Sequence, residues 1–394
     1  MLVAATTGYQ TRMFGEAAER TGIDLVLATD RCHVLEDPWG DRALPLKFDH
    51  PEAAGDVIAT AGSVDGIVAV GDRPAYVASL AAERLGLRFH PSAAVAACRS
   101  KFASRERFQA AGMLVPRFFR VPVSDGPSGS PSYPCVLKPL GLSASRGVIR
   151  ADNDAEFRAA FLRIRALLDD PEIRRMHEEQ DRFIQVESFI EGREFALEGI
   201  VTNGELRTLA LFDKPDPLNG PFFEETIYVT PSREAPTVQS AIEKTTRCAI
   251  RALGLTHGPI HAEMRVNDRG VWMLEVAARP IGGLCAKALP GLEELILRHA
   301  AGELAPPLPA IRASGVMMIP VPHAGIFVGV DGVPGQPEVI ITAKQGQKLV
   351  PLPEGNSYLG FIFAAAETPE EVEATLRHTH SLLRFDIAGA LPVI

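Results

Sequence analysis

The sequence predicts a multidomain protein that combines α/β and α+β architecture. The chain has 394 residues, of which 46% are hydrophobic, so it is long enough to bury several hydrophobic cores. Residues 2–90 alternate short apolar runs with helical periods, which predicts a parallel βαβ sheet. Strand patterns dominate residues 183–277, which is typical of an α+β unit. We therefore expect an N-terminal parallel βαβ domain, a central α+β region and a small C-terminal α+β domain.

The N-terminal domain is predicted from the change of period between apolar segments. Short apolar runs indicate strands, and the amphipathic stretches between them indicate helices. The predicted elements are strands 2–5, 24–28 and 66–70 and helices 11–21, 51–61 and 73–85. The turn after the first strand, residues 6–9, lacks the GxGxxG pattern of a dinucleotide-binding fingerprint. A nicotinamide-dependent dehydrogenase is therefore disfavoured.

The central and C-terminal parts are predicted from helix caps, periodicity and turn signals. Ser100 is placed to cap a helix over 101–111 that ends at Gly112. Apolar residues at three- and four-residue spacing predict a helix over 154–168. The further predicted elements are strands 133–138, 183–186, 195–202, 207–212, 260–266 and 271–276, helices 236–253 and 369–382, a surface connection over 124–132 and a linker over 306–309.

Composition argues against several classes of protein. The net charge is −9 with no block of like charges, whereas nucleic-acid binding needs a concentrated basic face, so we expect no nucleic-acid partner. The sequence has no leader pattern and no run of roughly 18 to 20 apolar residues, so we expect no membrane span and a cytoplasmic location. The five cysteines never form a CxxC pair, so we expect neither disulfides nor a zinc site.

Two lysines and a loop of small residues indicate a polyphosphate site. Lys101 opens a helix, and Lys138 ends a strand just before the loop Gly141–Gly147. Triphosphate carries several negative charges, so ammonium groups and backbone N–H donors must converge on it. Glycine and serine permit the backbone angles that expose N–H groups, which makes the loop a candidate lid over the phosphates. Its candidate phosphate ligands are Ser143, Ser145 and Gly147. No GxxxxGK[ST] sequence occurs, so this is not a Walker A loop.

Two acidic residues on neighbouring strands indicate a metal site. Glu263 and Glu275 are separated by a hairpin turn at residues 267–270, so they are expected to face each other across an antiparallel pair. Facing carboxylates repel one another without a cation, and Mg²⁺ suits hard oxygen ligands together with substrate phosphates. Arg279 follows closely and is placed to bind a transferred phosphoryl group or a substrate carboxylate bidentately. We therefore predict Arg279 as a catalytic residue that stabilises transition-state charge.

The order of these elements resembles the ATP-grasp superfamily, and is most similar to its carboxylate–amine ligases such as bacterial L-amino acid (dipeptide) ligases. The resemblance covers about residues 1–310 and extends into the C-terminal tail. It implies ATP and Mg²⁺, with Mn²⁺ as an alternative ion. It also implies a Rossmann-like pre-ATP-grasp domain, a small ATP-grasp lobe with its linking helix, a large lobe with the metal site and a closing domain. The implied boundaries are 1–95, 96–186, 187–309 and 310–394.

The segment Gln185–Glu194 carries the most specific part of the resemblance. In the family, a stretch like it is the hinge that holds adenine through backbone groups and ribose through its last acid. The implied adenine contacts are Glu187, Ser188 and Ile190, and the implied ribose contact is Glu194. The segment Phe212–Lys214, followed by Glu224–Tyr228, resembles the family's loop over the γ-phosphate and substrate. This similarity implies Lys214 as a third phosphate contact with a catalytic role.

One departure from the family pattern concerns the metal site. The family has an asparagine ligand two residues after the second metal-binding glutamate, whereas this chain has Ala277 there. Alanine offers no ligand atom, so the two glutamates would bind metal with phosphates and water alone. Five of the ten histidines, at 257, 261, 323, 378 and 380, lack i,i+4 metal spacing on a shared helix, so we interpret them as structural or exposed.

The function that the resemblance implies is ATP-dependent amide formation through an acyl phosphate. The expected partners are small-molecule carboxylate and amine substrates, in particular amino acids. Two enzymatic alternatives stay open, an ATP-grasp carboxylase and an acid–thiol ligase. A nucleotide-binding regulatory protein without turnover is a third alternative, motivated by Ala277. The resemblance suggests a homodimer, although no heptad repeat in the sequence requires one.

Overall fold

The computed structural model describes residues 1–5, 10–30, 43–174, 179–304, 306–309 and 312–389. The predicted turn at 6–9 lies outside these residues. The N-terminal domain is a four-stranded sheet with strand order β3-β2-β1-β4, and its paired strands are parallel. Its elements are β1 (Leu2–Ala4), α1 (Thr11–Thr21), β2 (Leu27–Thr29), β3 (Ala43–Pro45), α2 (Pro51–Thr60), β4 (Val68–Val70) and α3 (Asp72–Leu85). The predicted parallel βαβ domain is confirmed, and β3 is an edge strand that the sequence did not reveal.

Two short helices connect the N-terminal domain to the rest of the chain. They are α4 (Ser92–Arg99), which was not predicted, and α5 (Lys101–Ala110). The Ser100 hydroxyl accepts a hydrogen bond from the Ala103 N–H at 3.3 Å, so it caps α5 as its sequence position predicts. Gly112 follows the helix with a φ of +71°, a left-handed conformation that glycine adopts without strain.

The small lobe is a four-stranded antiparallel sheet with strand order β5-β8-β6-β7. Its elements are β5 (Phe118–Pro122), β6 (Cys135–Pro139), β7 (Ile149–Ala151), α6 (Asp154–Leu168), α7 (Pro171–Arg174) and β8 (Phe183–Ser188). Helix α6 buries Phe157, Phe161 and Ile164 against the sheet, as its apolar spacing predicts. Because β6 and β8 run antiparallel, the end of β6 with Lys138 lies beside the start of β8.

The large lobe is built on an eight-stranded antiparallel sheet with strand order β13-β12-β9-β10-β11-β14-β18-β16. Its first elements are β9 (Arg193–Thr202), β10 (Glu205–Lys214), β11 (Ile227–Thr230), α8 (Pro236–Leu253), β12 (Gly258–Asn267), β13 (Gly270–Ala277) and α9 (Leu292–Ala300). One hydrophobic core joins Val3 and Val95 to Ile260 and Met273, so the N-terminal domain packs directly on this sheet.

The C-terminal part both extends the large sheet and adds a small sheet of its own. Its elements are β14 (Ala313–Ile319), β15 (Gly325–Asp331), β16 (Val339–Ile341), β17 (Lys348–Leu349), β18 (Gly360–Ala366), α10 (Pro369–Leu382) and β19 (Arg384–Ala388). Strands β17, β15 and β19 form the separate sheet. Since β14, β16 and β18 join the large sheet, that sheet crosses the predicted boundary at residues 309 and 310, and the four domain boundaries stay predictions.

The architecture as a whole is the predicted multidomain α/β and α+β fold. None of the described helices combines the length and the apolar composition that spanning a bilayer demands.

Candidate active site

A cleft of about 710 Å³ lies where the N-terminal domain, both lobes and the C-terminal part meet. Its walls include Asp72 of the N-terminal domain, Lys138 of the small lobe, Glu263 of the large sheet and Tyr358 of the C-terminal part. The predicted site residues that line it are Lys101, Lys138, Ser143, Ser145, Glu187, Ser188, Ile190, Glu194, Glu263, Glu275 and Arg279. Two others, Lys214 and Gly147, lie behind its walls.

A cationic cluster of Arg105, Lys138 and Glu187 lies at the small-lobe end of the cleft. Lys138 Nζ is 2.6 Å from Glu187 Oε2, and Arg105 Nε donates to Glu187 Oε1 at 2.6 Å. Burial alone would raise the pKa of the Glu187 carboxyl, but the two cations outweigh it and lower that pKa to about 2. Burial also lowers the pKa of Lys138, which the nearby Arg105 reinforces. The cluster has two cations for one carboxylate, so its net positive charge favours the binding of an additional anion.

The small-residue loop is fixed from both sides of the cleft. Lys101 Nζ donates to the carbonyl of Leu142 at 2.7 Å, so this lysine supports the loop as well as lining the cleft. Ser145 has a φ of +54°, which turns the backbone sharply as the proposed lid requires. The Gly147 N–H donates to Pro353 O at 2.8 Å, and a Cβ there would lie 2.9 Å from the Pro139 ring. Gly147 therefore holds the loop against the C-terminal part instead of facing the cleft.

The hinge segment after β8 is held mainly by its own neighbours. Ser188 Oγ accepts from the Arg117 N–H at 3.0 Å, and Ile190 O accepts from Arg265 Nη1 at 2.7 Å. The Ser188 hydroxyl and the Ile190 carbonyl are thus already bonded within the protein. Arg265 Nε also donates to Glu194 Oε2 at 2.8 Å, so one arginine fixes the hinge and the predicted ribose contact together.

An acidic cluster of Lys214, Glu194, Glu225 and Glu263 lies beneath the centre of the cleft. Lys214 Nζ contacts Oε1 of Glu225 at 2.6 Å, of Glu194 at 2.9 Å and of Glu263 at 3.0 Å. Burial opposes the lysine charge, but the three carboxylates raise the pKa of Lys214 well above its usual range. Burial and the charge of Glu263 raise the pKa of Glu225 to about 7. Lys214 therefore contacts the acids around it and is not one of the residues that line the cleft, and its role as a phosphate contact stays a prediction.

The two predicted metal ligands face each other as the hairpin predicts. Glu263 and Glu275 are directly paired residues of β12 and β13, and both line the cleft. Glu263 Oε1 accepts from Lys214, from His261 Nε2 at 3.2 Å and from Tyr228 Oη at 3.3 Å, whereas no side chain in the described residues bonds to the Glu275 carboxylate. Ala277 is buried opposite His261, so no third ligand occurs there. The carboxylate oxygens of this pair suit Mg²⁺.

Arg279 is anchored across the domain interface. Its Nε donates to Asp72 Oδ1 at 2.8 Å and its Nη2 to Oδ2 at 3.3 Å, and Asp72 is the first residue of α3. Burial opposes both charges, but each partner outweighs it, so the pKa of Asp72 falls and the pKa of Arg279 rises. The bidentate pair holds the guanidinium charged and fixed in orientation at the cleft wall, and it occupies the Nε and Nη2 face that a bidentate substrate contact would use, while Nη1 donates to Pro280 O at 3.0 Å.

His261, which sequence reasoning treated as structural, lies between two carboxylates of the site. Its Nδ1 pairs with Glu198 and its Nε2 contacts Glu263 Oε1 at 3.2 Å. Burial would lower the pKa of the imidazole, but Glu198 and Glu263 outweigh it and raise that pKa to about 10. His261 is thus a charged link within the site.

Three protein-family models match the chain in an order that agrees with this geometry. They are an ATP-grasp N-terminal domain over residues 15–88, an ATP-grasp domain over residues 131–288 and an L-amino acid ligase C-terminal domain 2 over residues 317–388.

This chain contains an ATP-grasp domain.

This ATP-grasp protein is similar in sequence and structure to an amino acid ligase of known structure. The structure of an L-amino acid ligase from Bacillus licheniformis is 27% identical, covers 98% of both chains and superposes with a TM-score of 0.81. Phosphoribosylglycinamide synthetase from Anaerococcus prevotii is 16% identical over 98% of this chain and 99% of its own, with a TM-score of 0.70, and shows the fold alone. The predicted resemblance to the superfamily is confirmed.

Two curated relatives are also ligases by name. Dapdiamide A synthase of Enterobacter agglomerans is 28% identical over 40% of this chain and 35% of its own length. Alanine–anticapsin ligase of Bacillus subtilis (strain 168) is 27% identical over 51% of this chain and 45% of its own. The chain thus spans less than half the length of these relatives.

The sequence did not reveal the residues that form ion pairs with the side chains of the candidate site. Arg105, Asp72 and Arg265 contact predicted site residues, and Glu198 contacts His261 and the Ile281 N–H, yet none of the four was identified from its sequence position. Only Glu198 had a usable signal, because a glutamate in the middle of an apolar strand needs a buried partner.

Proposed function

We propose that this ATP-grasp protein is an ATP-dependent carboxylate–amine ligase, which joins amino acids by an amide bond and releases ADP and phosphate. The observation that carries the proposal is the anchored Arg279 in the same cleft as the paired carboxylates Glu263 and Glu275. Such a cleft combines an anion-binding guanidinium with cation-binding oxygens, as transfer of a phosphoryl group to a carboxylate requires.

The nucleotide lies, in this proposal, along the small-lobe side of the cleft. Adenine is held by the remaining backbone groups of Glu187–Ile190, and ribose lies near Glu194. The phosphates lie at Lys101 and Lys138 beneath the loop that contains Ser143 and Ser145. The positive balance of the cationic cluster supports this placement, because phosphates supply the missing negative charge.

Glu263 and Glu275 hold Mg²⁺, or Mn²⁺ in its place, at the other end of the phosphates. The directly paired strands that carry them and the hard oxygen donors support this assignment. The ion would neutralise phosphate charge and polarise the phosphoryl oxygens. The three carboxylates around Lys214 lie within 4.8 Å of one another, but the ammonium group already satisfies that set.

The chain's own residues position two successive displacements. An oxygen of the substrate carboxylate bonds to the γ-phosphorus, the bond from that phosphorus to the bridging oxygen breaks, and ADP leaves with the electron pair. Arg279 holds the carboxylate and then the acyl phosphate through the N–H groups of Nη1 and Nη2 that are not bonded to Pro280 and Asp72. The nitrogen of the amine bonds to the acyl carbon, the C–O bond to phosphate breaks, and the amine proton is released. No protein nucleophile takes part, so positioning and charge neutralisation supply the rate enhancement.

Amino acids are the proposed substrates on both sides of the amide bond. The names of the ligase relatives and the match to an L-amino acid ligase C-terminal domain support this class. The C-terminal residues 356–358 and the N-terminal residue Phe48 also line the cleft. Apolar Met318 and Phe361 are part of the same lining.

Product analysis with competing nucleophiles tests the proposal. Purified protein is supplied with MgATP, pooled amino acids and hydroxylamine, and the expected products are ADP and an amino acid hydroxamate, which shows the acyl phosphate. Without hydroxylamine, mass spectrometry should detect dipeptides. Carboxylated products with bicarbonate, or thioesters with coenzyme A, would replace the amide ligase with a carboxylase or a thiol ligase. Binding of ATP without any product would replace it with a regulatory protein.

A further inference from the structure

Glu198 is a buried carboxylate that bonds to two different parts of the site. It lies within β9, its side chain is only 2% exposed, and it pairs directly with His261 of β12. One oxygen binds His261 Nδ1, and the other accepts the N–H of Ile281 at 3.1 Å. A carboxylate removed from water in this way needs both bonds to offset its lost hydration.

The bond from Glu198 to His261 affects Glu263, one of the two proposed metal ligands. With Nδ1 held by Glu198, the imidazole ring of His261 has one orientation, and its Nε2 reaches Glu263 Oε1 at 3.2 Å. A carboxylate that is hydrogen-bonded on one oxygen is fixed in rotation, which presets the direction of its remaining lone pairs. Glu198 therefore acts on Glu263 through His261.

The hydrogen bond from the Ile281 N–H to Glu198 affects the position of Arg279. Ile281 lies two residues after Arg279 in the segment that follows β13, and the Ile281 carbonyl accepts from Gln10 Nε2 at 2.5 Å. The Ile281 peptide groups are thus held on one side by Glu198 and on the other by the N-terminal domain. This fixes the backbone that directs Arg279 towards the cleft.

We propose that Glu198 is a positioning residue of the ligase reaction, which sets the placement of Glu263 through His261 and of Arg279 through the Ile281 N–H. The kinetic test of this inference rests on the proposed function, because it measures the ligase reaction. The binding test does not rest on it. A displacement of either group by about 1 Å is enough to lower a rate strongly when catalysis depends on positioning.

The test compares Glu198→Gln, His261→Asn and their double variant with the wild type. The matched control is Glu293→Gln, since Glu293 is also a buried glutamate, 5% exposed, but lies on α9 outside the cleft wall. We expect Glu198→Gln to lower kcat by about 10- to 100-fold with KM for ATP changed less than about 3-fold. The double variant should lose no more than the larger single effect, because both residues act on Glu263 along one path.

A binding measurement separates this inference from the proposed function. The affinity for a non-hydrolysable ATP analogue is measured by calorimetry with and without Mg²⁺ for each variant. We expect Glu198→Gln to keep its Mg²⁺-free affinity and its thermal midpoint but to lose most of the gain that Mg²⁺ gives the wild type. A native Mg²⁺ gain, or a parallel loss of stability and Mg²⁺-free binding, would overturn the positioning role. Absence of amino-acid-dependent turnover in the wild type would instead refute the proposed function and leave the binding result valid.

Discussion

The two ion clusters at the cleft differ in charge balance. In the cationic cluster, two cations share the single carboxylate of Glu187, whereas in the acidic cluster three carboxylates surround the ammonium of Lys214, and Arg265 and His261 bond to two of them. The pKa of Glu187 is lowered to about 2 although burial alone would raise it, while burial and Glu263 raise the pKa of Glu225 to about 7. The cationic cluster is therefore deficient in negative charge, whereas the acidic cluster holds three carboxylates close together around Lys214. This difference is the electrostatic pattern that an anionic phosphate chain with a bound cation would complete.

Removal of the shared carboxylate should have the largest effect. Glu187→Ala leaves Arg105 and Lys138 buried without their common partner, so we expect a loss of about 3–5 kcal/mol in the free energy of unfolding, measured by urea titration. The control is Glu191→Ala, because Glu191 is an exposed residue of the same segment. Equal losses in the two variants would mean that the cationic cluster does not depend on Glu187.

Removal of the shared ammonium should have an effect that a metal ion can reverse. Lys214→Met leaves three carboxylates whose oxygens lie within 4.8 Å of one another, so we expect a loss of about 3 kcal/mol in buffer without divalent ions. Excess Mg²⁺ should restore much of the thermal midpoint, because it replaces the lost positive charge. Glu187→Ala should show no such recovery. A Mg²⁺ shift no larger than that of the wild type would contradict the close grouping of carboxylates around Lys214.

The contributions of the two clusters to the stability of the protein should change with pH in opposite directions. The pKa of Glu187 is lowered to about 2 from 4.5, so its stabilisation is present above pH 4.5 and is lost as the pH falls through about 2. The pKa of Glu225 is raised to about 7 from 4.5, so its relative stabilisation is present below pH 4.5 and is lost as the pH rises through about 7.

Glutamine variants at both positions measure this opposition. Relative to the wild type, we expect Glu187→Gln to cost more stability as the pH rises from about 2 to 5, and Glu225→Gln to cost less as it rises from about 5 to 8. Each change should reach at most about 3 kcal/mol in the free energy of unfolding. Parallel pH profiles for the two variants would show that the clusters do not differ in charge balance.

An ion pair beside the segment that contacts the phosphate loop should have the smallest effect. Arg163 Nη2 of α6 donates to Glu354 Oε2 at 2.9 Å, both side chains are partly exposed, and the neighbouring Pro353 carbonyl accepts from the Gly147 N–H of the loop. We expect Glu354→Ala to change stability by less than about 1 kcal/mol and to raise KM for ATP by about 2- to 5-fold, since the segment that contacts the loop is held less firmly. Glu338→Ala breaks the comparable exposed pair with Lys287 and should leave KM for ATP unchanged. A change in kcat but not in KM would assign Glu354 a different role.

The sequence predicted the elements that follow local rules. Helix α5 begins at its Ser100 cap, and helices α6 and α10 occupy the predicted residues, because caps and apolar spacing are local properties. Strands β3 and β7 were not predicted, since each has only three residues and is defined by its pairing partner. The way that β14, β16 and β18 extend the large sheet depends on non-local pairing and is likewise absent from the local pattern.

The candidate site shows the same division between local and non-local information. The facing of Glu263 and Glu275 follows from one short hairpin, so the sequence could predict it. The pairing of Arg279 with Asp72 joins residues that are 207 positions apart, and it depends on how the N-terminal domain packs on the large sheet. Lys214 was expected at the phosphates, yet three acids from separate strands and a loop surround it. The types of residue at the candidate site could be predicted from the sequence, whereas the ion-pair partners of those residues depend on how distant parts of the chain pack together.

The most direct test of the ligase proposal is the release of ADP and phosphate by the purified protein with MgATP and pooled amino acids. The wild type is compared with Glu275→Ala and with Glu205→Ala, an exposed glutamate at the start of β10 outside the cleft wall. We predict release that requires the amino acid pool, that falls at least about 100-fold in Glu275→Ala and that is unchanged in Glu205→Ala. Release that is independent of the pool, or equal in all three proteins, would contradict the account.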